Sequence, residues 1–184
     1  NAFSTSLVLL ENPTKTKVEV HQIMRDYLGI DHYWNPEIKY SIMHMDTFGK
    51  PLAPDTWIWG KFPDYSTPWM YCENALDYLK TRQSPYGWPY KIERFPLWSF
   101  GSSWTGYINC LQTNNKILTG KYYTSHDGEA KAIYEKMAPG YEVHNIDSQG
   151  TNWGDSIHCR TRNLHRGETI RIYPQPHWEY ADSD

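Results

Sequence analysis

Three stretches of this sequence repeat one pattern of strand and helix, and the repeat limits the folds open to the chain. Each stretch contains an apolar strand, an amphipathic helix with apolar residues at three- and four-residue spacing, and a second strand. The first has FSTSLVLL, KVEVHQIMRDYLG and KYSIMHMD; the second has TWIWGKF, YCENALDYLKTRQ and YKIERFPLW; the third has GYINCLQTNNKILTGKYY, GEAKAIYEKMAPG and YEVHNID. The pattern predicts an α/β fold of strand-rich units with one helix each.

Glycine and asparagine residues mark the boundaries inside this repeat. Gly29, Gly87 and Gly140 are expected to end the helices, and they lie 58 (87−29) and 53 (140−87) residues apart. Asn114 and Asn115 stand between two β-rich runs and predict a hairpin turn. Such units can wind around an axis, which removes exposed sheet edges. Three units make an arc, so we expect another part of the molecule to close the ring.

Charge and hydropathy argue against two classes of partner. The net charge of the 184 residues is −3 without a basic tract, so we expect no nucleic-acid partner. No apolar run approaches the length of a membrane span, so we expect no membrane partner. The 9 Trp and 15 Tyr residues suit either an aromatic-filled core or a surface that binds planar or sugar-like ligands.

The first residue and the cysteine count bear on where the protein works. The sequence starts at Asn1 rather than Met, which favours a processed chain. Its cysteine count of 3 is odd: if Cys159 is a thiol, Cys72 and Cys110 could bridge each other or a partner chain. Both observations favour a secreted protein.

The stretch GDSIHCRTR presents Cys159 in polar surroundings, as a nucleophile, a metal ligand or half of a disulfide. If SIHCRT is a strand, neighbouring side chains point to opposite faces, and His158 points away from Cys159. His158 is therefore expected to be a structural hydrogen-bonding residue. A base for Cys159 has to come from elsewhere in the chain.

The stretch IMHMDTFGK offers such a base. On a strand, His44 and Asp46 would share a face roughly 6 to 7 Å apart. There the carboxylate can hold a cation while the imidazole moves protons. The same two residues with Cys159 would make a mixed metal-ligand set, but no closely spaced Cys/His pair supports a zinc site. We therefore predict no metal.

A further candidate is Asn109, in GYINCLQTNN. Its neighbour Cys110 is expected on the opposite face of the same strand, so Asn109 could line a pocket while Cys110 packs behind it. By spacing alone, Asn109 is no stronger a candidate than Asn114 or Asn115.

Four motifs in order carry a resemblance to a known family: HMDTFGK, YINCLQTNNKILTGKY, MAPGYEVHNID and GDSIHCRTR. Together they resemble the guanidino-group-modifying enzymes of the pentein fold, nearest to peptidylarginine deiminases of the bacterial and fungal type, with agmatine deiminases next. The resemblance implies an α/β propeller with pseudo-five-fold symmetry, of which this chain supplies about three units. Residues 1–184 would be the carboxyl-terminal part of a single catalytic domain.

The resemblance also assigns roles to the candidate residues. Cys159 matches the nucleophile, His44 the general acid/base, Asp46 a guanidinium-binding carboxylate, and Asn109 a substrate-positioning asparagine. The implied reaction hydrolyses peptidyl-arginine to peptidyl-citrulline and ammonia through a covalent thiouronium on the cysteine. It requires neither a metal nor an organic cofactor.

Two departures from the family pattern shape the expected partners. The first guanidinium-binding Asp of the family belongs to a unit upstream of STSLVLLENP, and one carboxylate is a poor clamp for a guanidinium. We therefore expect a second polypeptide, the amino-terminal part of the same precursor, to complete the fold and the site. The agmatine-type enzymes have a glycine-rich run before the nucleophile where this chain has NWGDSIHC, which favours an arginine-containing peptide or protein substrate.

Three alternatives remain open from the sequence. One is a deiminase of a small guanidine such as agmatine or free arginine. Another is a papain-like cysteine hydrolase, which would need a His/Asn pair oriented on Cys159. The third is a non-catalytic, aromatic-rich binding module.

Overall fold

A computed structural model describes residues 1–41, 43–148 and 156–161. In chain order, the helices and strands are β1 (Ala2–Phe3), α1 (Leu7–Leu10), α2 (Lys17–Leu28), β2 (Tyr33–Trp34), β3 (Gly49–Ala53), β4 (Thr56–Lys61), α3 (Thr67–Lys80), β5 (Lys91–Pro96), β6 (Ser99–Phe100), β7 (Ser103–Trp104), β8 (Leu111–Thr113), β9 (Lys116–Lys121), α4 (His126–Met137) and β10 (Glu142–Asp147). Two 3-10 helices cover Met45–Thr47 and His158–Arg160. The chain is therefore of the α/β class, as the repeat predicts.

The second and third repeats have the same topology. Each is a hairpin, a helix and a final strand: β3, β4, α3 and β5 in one, and β8, β9, α4 and β10 in the other. In both sheets the second strand is central, antiparallel to the first strand and parallel to the last. A parallel pair needs a crossover connection, and the helix provides it. Asn114, with φ of 50°, lies in the β8–β9 turn, so the predicted hairpin is confirmed.

The first repeat differs from its prediction. FSTSLVLL is not one strand, because the amides of Leu9 and Leu10 bond to the carbonyl of Ser6 and close the helical turn of α1. KYSIMHMD is not a strand either, because Ser41 and Met43 have φ of 54° and 57°, which interrupt extended backbone. The predicted helix between them is α2. Its strands β1 and β2 pair in parallel, like β4 with β5.

Of the three glycines expected to end helices, one does so. Gly29 caps α2 in the left-handed conformation, with φ of 63°, while Thr16 and Glu19 form a capping box at the start of that helix. Gly87 and Gly140 also have positive φ, but they lie in turns beyond the ends of α3 and α4.

A single cluster of buried side chains runs through the second and third units. Its largest fully buried members include Trp59, Phe95, Tyr107 and Tyr134. The phenol of Tyr134 donates a hydrogen bond of 2.8 Å to the Tyr107 carbonyl, which lies two residues before Asn109. The core thus holds the segment that carries one of the predicted site residues.

The described strands form four separate sheets, of two, three, three and two strands, and none of these sheets is closed. The propeller with pseudo-five-fold symmetry is therefore not confirmed and stays a prediction. Within the same residues, no helix has the length and apolar character needed to cross a bilayer.

Candidate active site

The turn before β3 carries His44 and Asp46. Met45–Thr47 is a 3-10 helix that starts after His44, and the Thr47 hydroxyl donates to the His44 carbonyl at 2.6 Å. Thr47 and Phe48 are buried, which anchors the turn to the core. His44 is exposed and Asp46 is half-buried. The buried neighbours therefore fix a short polar turn at the protein surface.

Asn109 fixes the turn that carries Cys159. Its side-chain oxygen accepts hydrogen bonds from the backbone amides of His158, at 2.9 Å, and Cys159, at 3.3 Å. Its side-chain Nδ2 donates to the Cys159 sulfur at 3.3 Å, and its backbone carbonyl accepts from the His158 amide at 3.1 Å. Asn109 itself is fully buried. One asparagine thus sets both the backbone and the sulfur of the cysteine turn.

The two turns meet. The Cys159 sulfur lies 3.9 Å from Oδ2 of Asp46, across 113 positions of sequence. One ligand atom from each of His44, Asp46 and Cys159 can be chosen so that all three lie within 4.8 Å of one another. With Asn109 bonded to the same sulfur, the structure brings all four predicted site residues together.

The backbone conformation of these two stretches differs from the one that the sequence predicts. Neither His44–Asp46 nor the stretch around Cys159 is a strand; both are 3-10 turns. Asn109 and Cys110 precede β8 and are both buried, rather than alternating on a strand. The run HCRTR lacks alternating apolar residues, which a half-buried strand requires, and this signal could have indicated a turn.

The sequence predicts His158 as a hydrogen-bonding residue that points away from Cys159; the hydrogen bonding is confirmed and the orientation is wrong. Its expected orientation, away from Cys159, assumed a strand. In the 3-10 turn its Nδ1 instead lies 2.5 Å from Oδ2 of Asp46, the same oxygen that the sulfur approaches. His158 therefore belongs to the site as a partner of the carboxylate.

Asp46 is held as an anion. Burial alone would raise the pKa of this carboxyl, but the hydrogen bond from His158 and its charge, followed by the charges of Lys50 and His44, bring the pKa below its usual value. An ionised carboxylate beside a sulfur and two imidazoles can bind a planar cation and present it to the sulfur.

Two cavities border this cluster. The larger, of about 990 Å³, reaches His44, Asp46 and His158 and is lined mainly by apolar side chains, including Phe3 and Trp57. The smaller, of about 470 Å³, is more polar and lies along β8. A substrate larger than its reacting group therefore has room beside the site.

The same donors are chemically able to hold a metal. An imidazole nitrogen, a carboxylate oxygen and a thiolate are all ligands that Zn²⁺ accepts, and three of them lie within a suitable distance. The set mixes hard and soft ligands without a Cys/His pair close in sequence. Nucleophilic chemistry and metal binding would use the same three atoms, so experiment has to separate them.

Comparison with known proteins places these motifs in a family. Residues 2–164 match the family described as Porphyromonas-type peptidyl-arginine deiminase. The chain is also 24% identical over 180 residues to an agmatine deiminase of Pseudomonas putida, with 82% of this chain and 49% of that protein covered. An agmatine deiminase of Pseudomonas aeruginosa is also 24% identical over 180 residues, with the same 82% of this chain and 49% of that protein covered.

Solved structures show the same fold. The agmatine deiminase of Enterococcus faecalis superposes with a TM-score of 0.75 at 18% identity, over 85% of this chain and 52% of that one. The C. jejuni agmatine deiminase gives 0.68 at 18% identity, over 85% and 49%. The chain thus spans about half the length of the relatives that it matches.

Proposed function

This chain belongs to the Porphyromonas-type peptidyl-arginine deiminase family, and we propose that it carries the nucleophile of an enzyme that hydrolyses peptidyl-arginine to peptidyl-citrulline and ammonia. One observation carries the proposal. A sulfur, an imidazole and an ionised carboxylate from Cys159, His44 and Asp46 converge within 4.8 Å. This is the set of groups that a guanidinium-directed thiol enzyme needs.

Binding precedes chemistry at such a site. The guanidinium is planar, cationic and rich in N–H donors, so it binds the Asp46 carboxylate through charge-assisted hydrogen bonds. In the structure His158 is hydrogen-bonded to Oδ2 of that carboxylate. The substrate therefore has to share this oxygen with His158 or displace the imidazole from it. A bound cation beside Cys159 favours the thiolate over the thiol. Substrate binding thereby activates the nucleophile.

The reaction then takes two displacement steps. The Cys159 thiolate forms an S–C bond with the guanidinium carbon, one C–N bond breaks, and His44 gives its proton to the departing nitrogen, which leaves as ammonia. In the second step His44 takes a proton from water, whose oxygen bonds to the same carbon. The S–C bond breaks with its electron pair on sulfur, the thiolate returns, and the product loses its O–H proton to solvent and is released as neutral citrulline.

Asn109 contributes to these steps through its hydrogen bonds to the sulfur and to the backbone of the cysteine turn. Its contacts are with the turn of Cys159 and with the sulfur itself, so it positions the nucleophile. A direct contact of Asn109 with substrate stays a prediction. The amide N–H directed at the sulfur stabilises negative charge there.

We further propose that a second polypeptide, the amino-terminal part of the same precursor, completes the site. Asp46 is the single carboxylate in the cluster that the described residues form around the sulfur. The central strands β4 and β9 each pair with two neighbours, whereas β1 pairs only with β2 within the described part of the chain. The relatives' chains are about twice as long.

The first strand marks where that partner would attach. The amides of Ala2 and Ser4 bond to the carbonyls of His32 and Trp34, which leaves the opposite edge of β1 without a paired strand in the described part of the chain. An antiparallel strand there would give the first unit the topology of the other two. A second polypeptide that co-purifies, and crosslinks to Asn1 or Ser4, is the expected result. Full activity of a lone 21.7 kDa monomer would contradict the proposal.

A deiminase of a small guanidine is the second candidate, since the curated relatives are agmatine deiminases. The cavity of about 990 Å³ beside the site favours the peptide, because it can hold residues that flank an arginine. Of the run NWGDSIHC, residues 152–155 lie outside the described part of the chain.

One assay separates the two substrates. The purified protein, with any polypeptide that accompanies it, is given an arginine peptide or agmatine at equal concentration. Citrulline or carbamoylputrescine and ammonia are then measured. The proposal predicts a higher kcat/KM for the peptide. A preference for agmatine of about 10²-fold or more, which corresponds to roughly 2.7 kcal/mol, would contradict it.

A further inference from the structure

His158 makes a contact that the proposed reaction does not use. Its side chain is 46% exposed, and its Nδ1 lies 2.5 Å from Oδ2 of Asp46. An ionised carboxylate has only acceptors, so Nδ1 carries a proton and donates it in this hydrogen bond. The imidazole is therefore bonded to one of the two oxygens with which Asp46 can bind a guanidinium.

This oxygen is the one that the substrate needs. The Cys159 sulfur lies 3.9 Å from the same Oδ2 of Asp46. A guanidinium whose carbon is attacked by that sulfur has to lie against this side of the carboxylate. A paired contact between a guanidinium and a carboxylate also uses both carboxylate oxygens. His158 and the substrate therefore compete for one atom.

The backbone of His158 is held on both sides. Its amide bonds to the side-chain oxygen of Asn109 at 2.9 Å and to the Asn109 carbonyl at 3.1 Å. Its carbonyl accepts from the amide of Thr161 at 3.2 Å and from the hydroxyl of the same residue at 2.9 Å. Release of Asp46 by His158 is therefore a rotation of the imidazole alone, which leaves the turn of Cys159 in place.

The two cavities beside the site give the imidazole a second position. His158 lines both of them, and the larger cavity also reaches Asp46. The smaller cavity has polar side chains from Thr113 in β8 and from Asn114 in the turn after it. An imidazole that leaves the carboxylate can therefore stay solvated or hydrogen-bonded on the side of the smaller cavity.

We propose that His158 is a displaceable competitor for the guanidinium: the substrate takes Oδ2 of Asp46 from it, and this exchange limits the affinity of the site for a planar cation. The inference rests on the proposed function, because a guanidinium is the ligand that needs both oxygens of Asp46. A cation with a single contact, such as an alkylammonium, can use the other oxygen and leave His158 in place. The two kinds of cation should therefore respond differently when His158 is replaced.

The test measures binding without turnover. The parent protein carries Cys159→Ser and is studied with any polypeptide that accompanies it. Calorimetric titration gives the Kd of methylguanidine and of methylammonium at one fixed pH. Adding His158→Ala should tighten methylguanidine binding about fivefold, the equivalent of roughly 1 kcal/mol, whereas the Kd of methylammonium should change by less than about twofold. A histidine that only supports the turn would weaken both ligands on removal.

A matched variant separates the hydrogen bond from charge. His158→Asn removes any positive charge of the imidazole but keeps an N–H donor, Nδ2, close to the position of Nδ1. It should therefore bind methylguanidine nearly as the parent protein does. Nitrogen-15 NMR of histidine-labelled parent protein reports the displacement itself, and the signals that are missing from His158→Asn identify His158. At saturating methylguanidine its Nδ1 signal should move away from the hydrogen-bonded shift.

Four results would overturn the inference: unchanged or weaker methylguanidine binding in His158→Ala, an equal tightening for methylammonium, an equal tightening in His158→Asn, or an Nδ1 signal that keeps its hydrogen-bonded shift at saturation. The proposed function is judged separately, with Cys159 intact. If binding responds as expected but no guanidine is hydrolysed, the proposed function fails and the role of His158 stands. If a guanidine is hydrolysed but the affinity does not depend on His158, only the inference fails.

Discussion

Two regions of this protein each hold a cysteine, and they treat it in opposite ways. Cys72 lies on α3 inside the core, fully buried, with its thiol donating to the Gly60 carbonyl at 3.2 Å. Burial there raises the pKa of the Cys72 thiol to about 12. Cys159 is exposed on a turn, with an amide of Asn109 directed at its sulfur and a carboxylate 3.9 Å away.

The difference teaches that environment, rather than residue type, decides what a cysteine does here. Cys110 makes the same point, because it follows the site residue Asn109 directly yet is fully buried, and burial raises the pKa of its thiol. The core cysteines are held by regular structure and packing. The site cysteine is held by a turn, and hydrogen bonds from one side chain define that turn.

The largest expected effect is that of replacing Cys159 with alanine, and the same substitution at Cys72 serves as the comparison. Cys159→Ala should lower kcat by at least about 10⁴-fold, because the covalent route is lost, with little change in stability. Cys72→Ala should leave kcat near the wild-type value and lower the free energy of unfolding by about 1–3 kcal/mol. Citrulline assays and denaturant titrations check both. Retained activity in Cys159→Ala would contradict the assignment of Cys159 as the nucleophile.

A smaller effect is expected at the carboxylate. Asp46→Asn keeps the shape but removes the charge that binds a guanidinium, so kcat/KM should fall about 10²- to 10³-fold. The lowered pKa of Asp46 means that its contribution to stability is present above the pKa of the unfolded chain. That contribution is lost as the pH falls through the folded value. The variant's stability should therefore depend less on pH in the acid range. An unchanged kcat/KM would contradict the assigned role.

The next prediction concerns Asn109, which holds the turn of Cys159 in place. Asn109→Asp keeps an acceptor for the amides of His158 and Cys159 but removes the N–H directed at the sulfur and adds a nearby anion. The thiol pKa should rise and kcat should fall about 10- to 10²-fold, a cost of roughly 1.4 to 2.7 kcal/mol. Asn115→Asp, in the β8–β9 turn, is the control and should change neither. Equal effects of the two substitutions would exclude a specific role for Asn109.

The smallest expected effect is that of removing metal ions. The three donors that could bind zinc are those of the proposed nucleophilic site. Dialysis against a chelator should therefore leave citrulline formation unchanged, whereas added Zn²⁺ should compete with substrate for the Cys159 thiolate. Activity that is lost on chelation and restored by a divalent ion would favour the metal site instead.

The sequence carries enough information to predict the repeat and a set of four residues that the fold brings together, but less of their local structure. The helices of the three repeats have clear periodicity, and β4 (TWIWGK) has an apolar run, so these elements are readily predicted. The turns of His44 and Cys159 are short and polar. Burial of Thr47 and Phe48 anchors the first turn to the core, and hydrogen bonds to Asn109, 49 positions away, shape the second. Such contacts have no sequence period.

Two other expectations fare differently. The predicted orientation of His158 is wrong because hydrogen bonds to Asn109 hold His158 and Cys159 in a 3-10 turn rather than a strand. No disulfide joins Cys72 to Cys110 in the structure, so the pairing that sequence left open gives no support to secretion, which stays a prediction.

The most direct measurement is to trap the covalent intermediate. Wild-type protein that is quenched with acid during turnover should carry part of its Cys159 as the S–C adduct, because this bond forms before water attacks. After an acid quench of the protein with an arginine peptide, peptide mass spectrometry should find Cys159 carrying the mass of the substrate less one ammonia. Cys72 and Cys110 should remain unmodified. Product formed without any adduct on Cys159, or an adduct on another residue, would contradict the account.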